Sequence, residues 1–561
     1  MVVARARALQ SILGSTSPHR VIIAGPGTGK SFTFSKVLEQ VRGPALVLTF
    51  LGNLARDLRR TLGANADART FHSFSRKLLH LHAVQGLSTG FDYYPPLPKL
   101  ITEDLKIVGI STDEDRIAEL FMNVADSDPV LLAALERGNY YDAVSHTDSV
   151  YRVHRAMASG QTPIPTFSLL MVDEYQDFSL LEARFIEQLA TQSPSLVVGD
   201  DDQALYQFKH AKPEYLRIMA TSGAYERFEL PFCTRCTQVL VAATHRIVEK
   251  AMAAGLLAGR LDKSFHCYLP EKQVDSVQYP KIIHAKCSVE TNKAPYMSRY
   301  VLKQIQEIPA SVFEKNSAEQ KVTVLVLAPE QFLVRIHRAL LETGRTDCEL
   351  RKSPKLGICS LDGYRRIALD PHSRLGWRVL MYMFPHTDAD QTLRKVIESG
   401  EELSKKLDSD YVEHHLMIAC LLKRLLAGEV LSHEERVQLE SALRLPLDKV
   451  METEAGDEED EDEEVTPNIV LTSLTGSKGL QADFVFVVGL MEKHIPRTAN
   501  AEIADTDVCQ FLVALTRARK LCTLVSCDMF GAEWPSPSIF LSWLQPLLEV
   551  IIVDKTYWKN C

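Results

Sequence analysis

The 561-residue chain has no uninterrupted apolar run of the roughly eighteen residues that a membrane-crossing helix needs. Its basic start, Met1 to Gln10, lacks the apolar stretch of a secretion signal, so a cytoplasmic protein with no membrane partner is expected. No solenoid-type repeat is visible. Eleven cysteines include one close pair, Cys233-Thr234-Arg235-Cys236, but Cys267, Cys287, Cys522 and Cys527 supply no second pair at zinc-site spacing. Without a leader, reduced and buried thiols are the expectation. Excess positive charge is missing too, the formal net charge being −9. That sign has a local origin. Residues 452–464 hold ten acids (Glu452, Glu454, Asp457, Glu458, Glu459, Asp460, Glu461, Asp462, Glu463, Glu464) and no base, and setting them aside turns −9 into +1. The overall charge therefore excludes no nucleic-acid partner. The run reads as a solvated, disordered linker, the alternative being a surface for a basic partner or a DNA mimic.

What is present is an ordinary globular composition, 46% hydrophobic and 24% charged, in a chain long enough for three or four folded units. Strand-like runs recur at Val21 to Ala24, Ala45 to Phe50, Leu169 to Val172, Leu196 to Val198, Val322 to Leu327, Ile469 to Leu474, Phe484 to Val488 and Leu521 to Val525. Helical patterns separate them. This alternation predicts α/β architecture with parallel sheets, in two cores, the first four strands before residue 230 and the last four after 320. Two helical stretches fit neither sheet, at 78–160 and 376–450. The expected organisation is a first core over 1–77 and 161–227, interrupted by a helical insertion at 78–160. A second core spans 228–375 and 466–561, interrupted by a smaller insertion at 376–465 that ends in the acidic linker.

The chemistry is concentrated behind two of the strands. Gly25-Pro26-Gly27-Thr28-Gly29-Lys30-Ser31 follows Val21-Ile22-Ile23-Ala24. Glycines there let backbone N–H groups curl around phosphate oxygens at a helix N-terminus, Lys30 reaches the β- and γ-phosphates, and Ser31 meets Mg²⁺. Ala24 stands where the first glycine of such a loop is usual. Leu169 to Val172 delivers Asp173-Glu174-Tyr175-Gln176-Asp177, an acidic pair suited to a metal ion and a water. Together they predict a site that hydrolyses a nucleoside triphosphate with the help of Mg²⁺.

Further segments carry a resemblance. Asp173 to Asp177 and Val198-Gly199-Asp200-Asp201-Asp202-Gln203-Ala204-Leu205-Tyr206-Gln207-Phe208-Lys209 resemble motifs II and III of the UvrD/Rep branch of superfamily 1 helicases. Val47 to Phe50 with Asn53-Leu54-Ala55 is similar to motif Ia, and Thr70-Phe71-His72-Ser73-Phe74 to that family's DNA-binding segment. Leu474 to Gln481 resembles motif V, and Val513 to Lys520 motif VI. The matches run in family order along nearly the whole chain.

The resemblance implies two RecA-like domains with ATP between them. Asp173 would hold Mg²⁺ with Ser31, Glu174 would polarise the attacking water, and Gln203 would sense the γ-phosphate. Arg235 and Arg517, from the second core, look like arginine fingers. Gln10 resembles the adenine-reading glutamine, completing a nucleotide set of Ala24, Gly25, Gly27, Thr28, Gly29, Lys30 and Ser31. For DNA, Phe71, His72, Tyr206 and Phe208 match base-stacking positions, Thr49, Ser73 and Lys209 match phosphate contacts, and Phe50 and Thr475 belong to DNA-facing motifs. Phe32, Thr234, Thr475, Phe208 and Gln481 depart from the residues usual at their places, which points to altered base recognition and strand contact.

The implied activity is ATP-driven, 3′ to 5′ movement on single-stranded DNA or at a single-strand/duplex junction, with unwinding. The alternatives are a translocase that strips proteins or serves a separate nuclease, repair or defence protein, and an ATP-gated DNA-binding adaptor. The second insertion is short, which argues against control by a large mobile domain. No acid-and-lysine cluster after Arg517 suggests a nuclease.

Overall fold

The structure, a computed structural model, describes all residues except 51, 64–65, 83, 85, 353–356, 387, 455–465 and 561. Most of the acidic run therefore lies outside the described residues; residues 452–454 belong to the helix Leu447–Glu454.

The first sheet has six parallel strands in the order Asp67–Thr70, Ala45–Thr49, Leu169–Val172, Ser195–Gly199, His19–Ala24, Glu226–Leu230. Its central strands are apolar on both sides because both faces are covered. Val21, Ile23, Leu46, Leu48, Leu170, Val172 and Val197 face one core. Their neighbours Ile22, Ala24, Ala45, Val47, Leu169, Met171, Leu196 and Val198 face another. The second sheet, also parallel, runs Cys348–Leu350, Ile469–Thr472, Val324–Leu327, Ala482–Val488, Ala518–Cys527, Ile282–Cys287, Leu548–Val553. It too separates two apolar clusters, Leu325, Val485 and Leu524 on one side, Val326, Phe486 and Val525 on the other. The α/β fold with two parallel sheets is thus as the alternation predicts.

All eight apolar runs are strands, and among the described residues the two large sheets hold five more. Three are polar or alternating edge strands (Asp67–Thr70, Glu226–Leu230, Cys348–Leu350), Ile282–Cys287 is interrupted by His284 and Lys286, and the edge strand Leu548–Val553 carries an apolar run, Val550 to Val553, that is not among the eight. Two expected boundaries move accordingly. Residue 228 falls inside Glu226–Leu230, which pairs with His19–Ala24, so the first sheet ends at 230. Residue 376 falls inside the helix Arg374–Met383, which packs on the preceding helix Ser360–Leu369. The crossing is close because a Cβ on Gly363 would stand 2.8 Å from the Leu380 side chain, and one on Gly376 2.8 Å from Ile367. The bundle therefore begins at residue 360.

Both helical insertions share one apolar cluster with the first sheet's lower face. A buried charge joins them. Asp104, fully buried in the first insertion, accepts from Arg137 at 3.0 Å, from Tyr141 Oη at 2.5 Å and from Arg378 of the second insertion at 2.8 Å. No helix among the described residues is long and apolar enough to cross a membrane.

Removing one member of a buried, hydrogen-bonded ion network leaves the others uncompensated, which costs about 3–5 kcal/mol. Asp104→Ala should lower the denaturant midpoint of unfolding by that order, whereas Glu103→Ala, in an exposed pair with Lys106, should change stability by less than about 0.5 kcal/mol. Equal, small effects from both would contradict the role of Asp104 in joining the insertions.

Candidate functional site

Three adjacent strands of the first sheet, Leu169–Val172, Ser195–Gly199 and His19–Ala24, end at the same edge, where ligands of parallel sheets collect. The last of them turns into the glycine loop. Gly27 and Gly29 have φ of +66° and +94°, conformations open to glycine, and Gly29 caps the helix Lys30–Leu38. Lys30 thus leaves the first turn of a helix, and Ser31 stands exposed beside it.

Lys30 Nζ lies 2.5 Å from Glu174 Oε1 and 3.9 Å from Asp173 Oδ1. Gln176 Nε2 donates to Glu174 Oε2 at 2.7 Å, while its Oε1 accepts the amide of Asp200 at 2.9 Å. Gln203 Nε2 donates to Asp200 Oδ2 at 2.5 Å. One network therefore joins the ends of all three strands.

The second lobe closes over this edge. Arg517, buried at the end of the helix Asp505–Leu515, donates from Nη2 to Gln203 Oε1 at 3.1 Å. The Thr234 amide donates to the Gly27 carbonyl at 2.9 Å, and Arg235 Nη1 to the Thr516 carbonyl at 3.2 Å. Arg235 Nε is buried with no hydrogen-bond partner, and it would lie 3.3 Å from a Cβ placed on Gly27. An unpaired guanidinium N–H against the glycine loop fits an anionic ligand such as a phosphate.

Lys478, buried in the second lobe, forms ion pairs with Asp177 and, at 3.5 Å, with Glu174. Lys263, on the loop before the short strand His266–Cys267, reaches back to Asp200, Asp201 and Asp202, the last at 2.9 Å. Arg260 reinforces it, 2.7 Å from Asp202. Among the described residues the three aspartates are the sole group with cation-ligand spacing, and their charge is already met by this lysine and arginine. No cysteine joins such a group.

Burial raises the Asp173 carboxyl to about 6, Glu174 adding to it and Lys30 opposing. Burial would raise Glu174 too, but the Lys30 and Lys478 ammonium groups hold it well below the usual carboxylate range, so it is ionised. Burial lowers Lys478 to about 8, and burial with the nearby Arg235 charge lowers Arg517 to about 9. Lys30, Lys478, Arg517 and Arg235 gather here with Asp173, Glu174 and Asp177, and the unpaired Arg235 Nε–H is the group left to meet an added anion. Asp173 and Ser31 are the oxygen donors that could hold a divalent cation there.

A shallow pocket of about 260 Å³ beside the loop is lined by Arg5, Ala6, Leu9, Thr28, Phe32, Phe232 and Tyr268 among others. Gln10 is not in it. Val2, Arg5, Ala6 and Leu9 share one face of the helix Val2–Leu13, and Gln10, about 100° further round, points to solvent. Ala24 and Gly25 are buried under the loop, where a Cβ on Gly25 would stand 2.7 Å from the Phe265 ring.

A larger cavity, about 760 Å³, opens on the same side of the first lobe and is lined by Phe50, His72, His146, Glu182, Phe208 and Lys209. Phe208 is 63% exposed. The Lys209 ammonium stands 5.6 to 5.9 Å over the Phe50, Tyr206 and Phe208 rings, and Phe50 and Tyr206 lie 4.8 Å apart. Burial, with Lys209 and Arg76 adding, drops His72 to about 3 and His146 to about 4, so both rings are neutral.

Three residues expected to contact a DNA strand are buried. Phe71 is 1% exposed, edge-on to Phe178 and Phe185, because the first residue of the helix Phe71–Leu81 faces the core. Thr49, fully buried, ends a central strand. Ser73 is buried as well, its amide bound to the capping Thr70 hydroxyl. Tyr206 is largely buried behind Phe50, and Thr475, half-buried in the turn before Lys478, lies outside the cavity. Lys478, Gln176 and Asp177 sit inside quoted motifs without having been singled out. Lys263 and Phe265 carry no signal in the sequence, since their segment has no periodic pattern.

Comparison with known proteins gives a consistent picture. A family described as an AAA domain matches residues 7–209, and the UvrD-like helicase C-terminal domain matches residues 386–528. The ATP-dependent DNA helicase Rep of Salmonella typhimurium is 22% identical over 93% of this chain and 91% of its own length, and that of Escherichia coli is equally similar. The ATP-dependent DNA helicase UvrD2 of Mycobacterium tuberculosis is 22% identical over 96% of this chain and 81% of its own.

A Cβ at position 27 would lie 2.4 Å from the Arg235 Cβ and force the two lobes' loops apart. Gly27→Ala should cut nucleotide hydrolysis by about a hundredfold, the scale of a one-ångström misplacement. Gly428→Ala, also at positive φ but with open space around it, should leave hydrolysis unchanged. Equal rates in the two variants would mean that the contact between loops is irrelevant to turnover.

Proposed function

The chain belongs to the UvrD/Rep-like helicase family, and from that premise we propose that it is an ATP-driven motor that moves 3′ to 5′ along single-stranded DNA and unwinds duplex at a junction. The observation that carries this reading is the shared polar network: acids of the first lobe are met by Lys30 beneath them and by Lys478 from the second lobe, and Arg517 of that lobe donates to Gln203, which in turn holds Asp200. A ligand that draws Lys30 onto its phosphates releases Glu174 and changes what the second lobe's cations face. Nucleotide state is thereby converted into lobe position.

In this reading Lys30 and the loop amides bind the phosphates, Arg235 and Arg517 stabilise charge on the γ-phosphoryl group, and Gln203 ties Arg517 to the first lobe. A magnesium ion held by Ser31 and Asp173 would neutralise phosphate charge. Glu174, ionised, orients the attacking water. The pocket beside Thr28 offers Phe32, Phe232 and Tyr268 rings to the base and no side-chain amide or carboxylate. Base recognition by stacking follows, rather than by the edge contact expected of Gln10.

The DNA path assigned here is the 760 Å³ cavity, with Phe208 and Phe50 stacking on bases and Lys209 on phosphate. Movement is favoured over an ATP-gated adaptor because the network links Asp200 and Gln203 to the segment bearing Phe208 and Lys209. Thr506 of the second lobe also donates to Gln207 there, at 2.8 Å.

Glu174→Gln should abolish steady-state ATP hydrolysis while single-strand affinity stays within about threefold, and Phe208→Ala should lower DNA-stimulated turnover by about tenfold with basal hydrolysis little changed, as loss of one stacked base implies. On polarity-defined substrates, a 3′ tail should support strand displacement and a 5′ tail should not. Wild-type hydrolysis by Glu174→Gln, or displacement from a 5′ tail alone, would overturn the proposal.

A further inference from the structure

Two cysteines bracket Arg235, and their surroundings differ from those of an ordinary buried thiol. Cys233 ends the short strand Phe232–Cys233, and Cys236 lies one turn on. The Cys236 amide donates to Cys233 Sγ at 3.3 Å, which brings the two residues together at the turn that carries Arg235. Cys236 Sγ also faces the Thr516 carbonyl at 3.8 Å, the acceptor that Arg235 uses at 3.2 Å. On the other side, Cys233 Sγ would lie 3.2 Å from a Cβ on Gly27. The dithiol thus touches the glycine loop with one sulfur and the residue before Arg517 with the other.

We propose that Cys233 and Cys236 are a reversible thiol–disulfide switch, oxidised by a hydroperoxide, that sets the position of Arg235 and so turns nucleotide hydrolysis down. The inference rests on the reading of Arg235 as a participant in hydrolysis. Cys233 is the attacking sulfur. Burial raises its pKa, but hydrogen bonds from the Cys236 thiol and amide and the Arg235 charge bring it down to about 7, so a good fraction is thiolate near neutrality. Its partner is pushed well up and stays a thiol until it resolves the reaction. A third cysteine, Cys267, pairs with Cys233 in strand register, but its thiol is turned to the Cys236 carbonyl at 3.4 Å.

The step balances. The Cys233 thiolate attacks the terminal oxygen of the hydroperoxide, the O–O bond breaks, and the departing alkoxide takes a proton to leave as alcohol, giving a sulfenic acid. Cys236 sulfur then attacks the sulfenic sulfur as its proton is lost. The S–O bond breaks, water leaves and the disulfide forms. Two thiols lose two electrons in all, and the hydroperoxide is reduced to alcohol and water. Closing the disulfide removes the thiol that faces Thr516 and ties the segment that carries Thr234 and Arg235 into a small ring. Both sulfurs are fully buried in this closed arrangement. Parting of the lobes, which the loop bridges, gives the oxidant access, so bound nucleotide should protect.

The test uses the full-length protein with Cys420, the exposed cysteine of the second insertion, changed to Ser as the common background. After treatment with a small excess of tert-butyl hydroperoxide, peptide mapping should show a Cys233–Cys236 disulfide, and ATP hydrolysis should fall by about tenfold or more, with recovery in dithiothreitol. Cys233→Ser and Cys236→Ser should each show an oxidised-to-reduced rate ratio near one, whatever their reduced rate, and Cys267→Ser should respond like the background. Absence of the disulfide, a Cys233–Cys267 linkage, or an unchanged rate despite the disulfide would each overturn the switch. These outcomes are separate from failure of the hydrolytic reading, which would appear as full hydrolysis by Glu174→Gln.

Discussion

A shared pool of buried charge, held half by one lobe and half by the other, is the constraint from which the arrangement of the molecule follows. Asp173, Glu174, Asp177 and Asp200 come from strand ends of the first sheet, and the cations that meet them come from both sides, Lys30 from the glycine loop and Lys478 and Lys263 from the second lobe, while Arg517 of that lobe donates to Gln203, which holds Asp200. Charges out of water are tolerated only when paired and hydrogen-bonded. Apart, each lobe would turn its share of these charges to water; closed, each supplies partners for the charges that the other contributes. The same requirement makes the seam responsive. In the proposed cycle, added phosphate charge redistributes the pairs and the lobes answer by moving.

Lys30 of the glycine loop occupies the same carboxylate that the second lobe's Lys478 approaches from the other side. Glu174 is therefore kept ionised by two competing partners. Its backbone carries a positive φ of 57°, a conformation unusual outside glycine that turns its carboxylate back toward Lys30. Away from the seam, stability is built differently. The two helical insertions are fastened to each other by Asp104 and to the first sheet by a continuous apolar cluster.

Much of this was legible in the sequence for a physical reason. Parallel strands covered on both faces must be nearly uninterrupted apolar runs, so Val21 to Ala24 and Leu169 to Val172 announce themselves and point to the loops that follow. Edge strands such as Glu226–Leu230 have no such obligation and were hidden, as was the helix Ser360–Leu369, whose small Gly363 blurs its apolar face. Site residues in contiguous motifs were readable because their neighbours are fixed in sequence. Lys263 and Phe265 were not, since they reach the site by tertiary closure of an irregular loop. Among the DNA positions, motif membership alone could not distinguish Phe208, raised into the cavity, from Phe71, whose place at the start of a helix turns it into the core. Gln10 shows the same limit on a helix, where one residue's shift is a 100° turn.

The claim that the second lobe completes the hydrolytic site is tested most directly by single-turnover ATP hydrolysis on saturating single-stranded DNA with Arg517→Ala. The account predicts a rate at least about a thousandfold below wild type, the scale of a lost arginine finger, with ATP affinity within about threefold. A hydrolysis rate equal to wild type, with the protein folded and ATP bound, would contradict it.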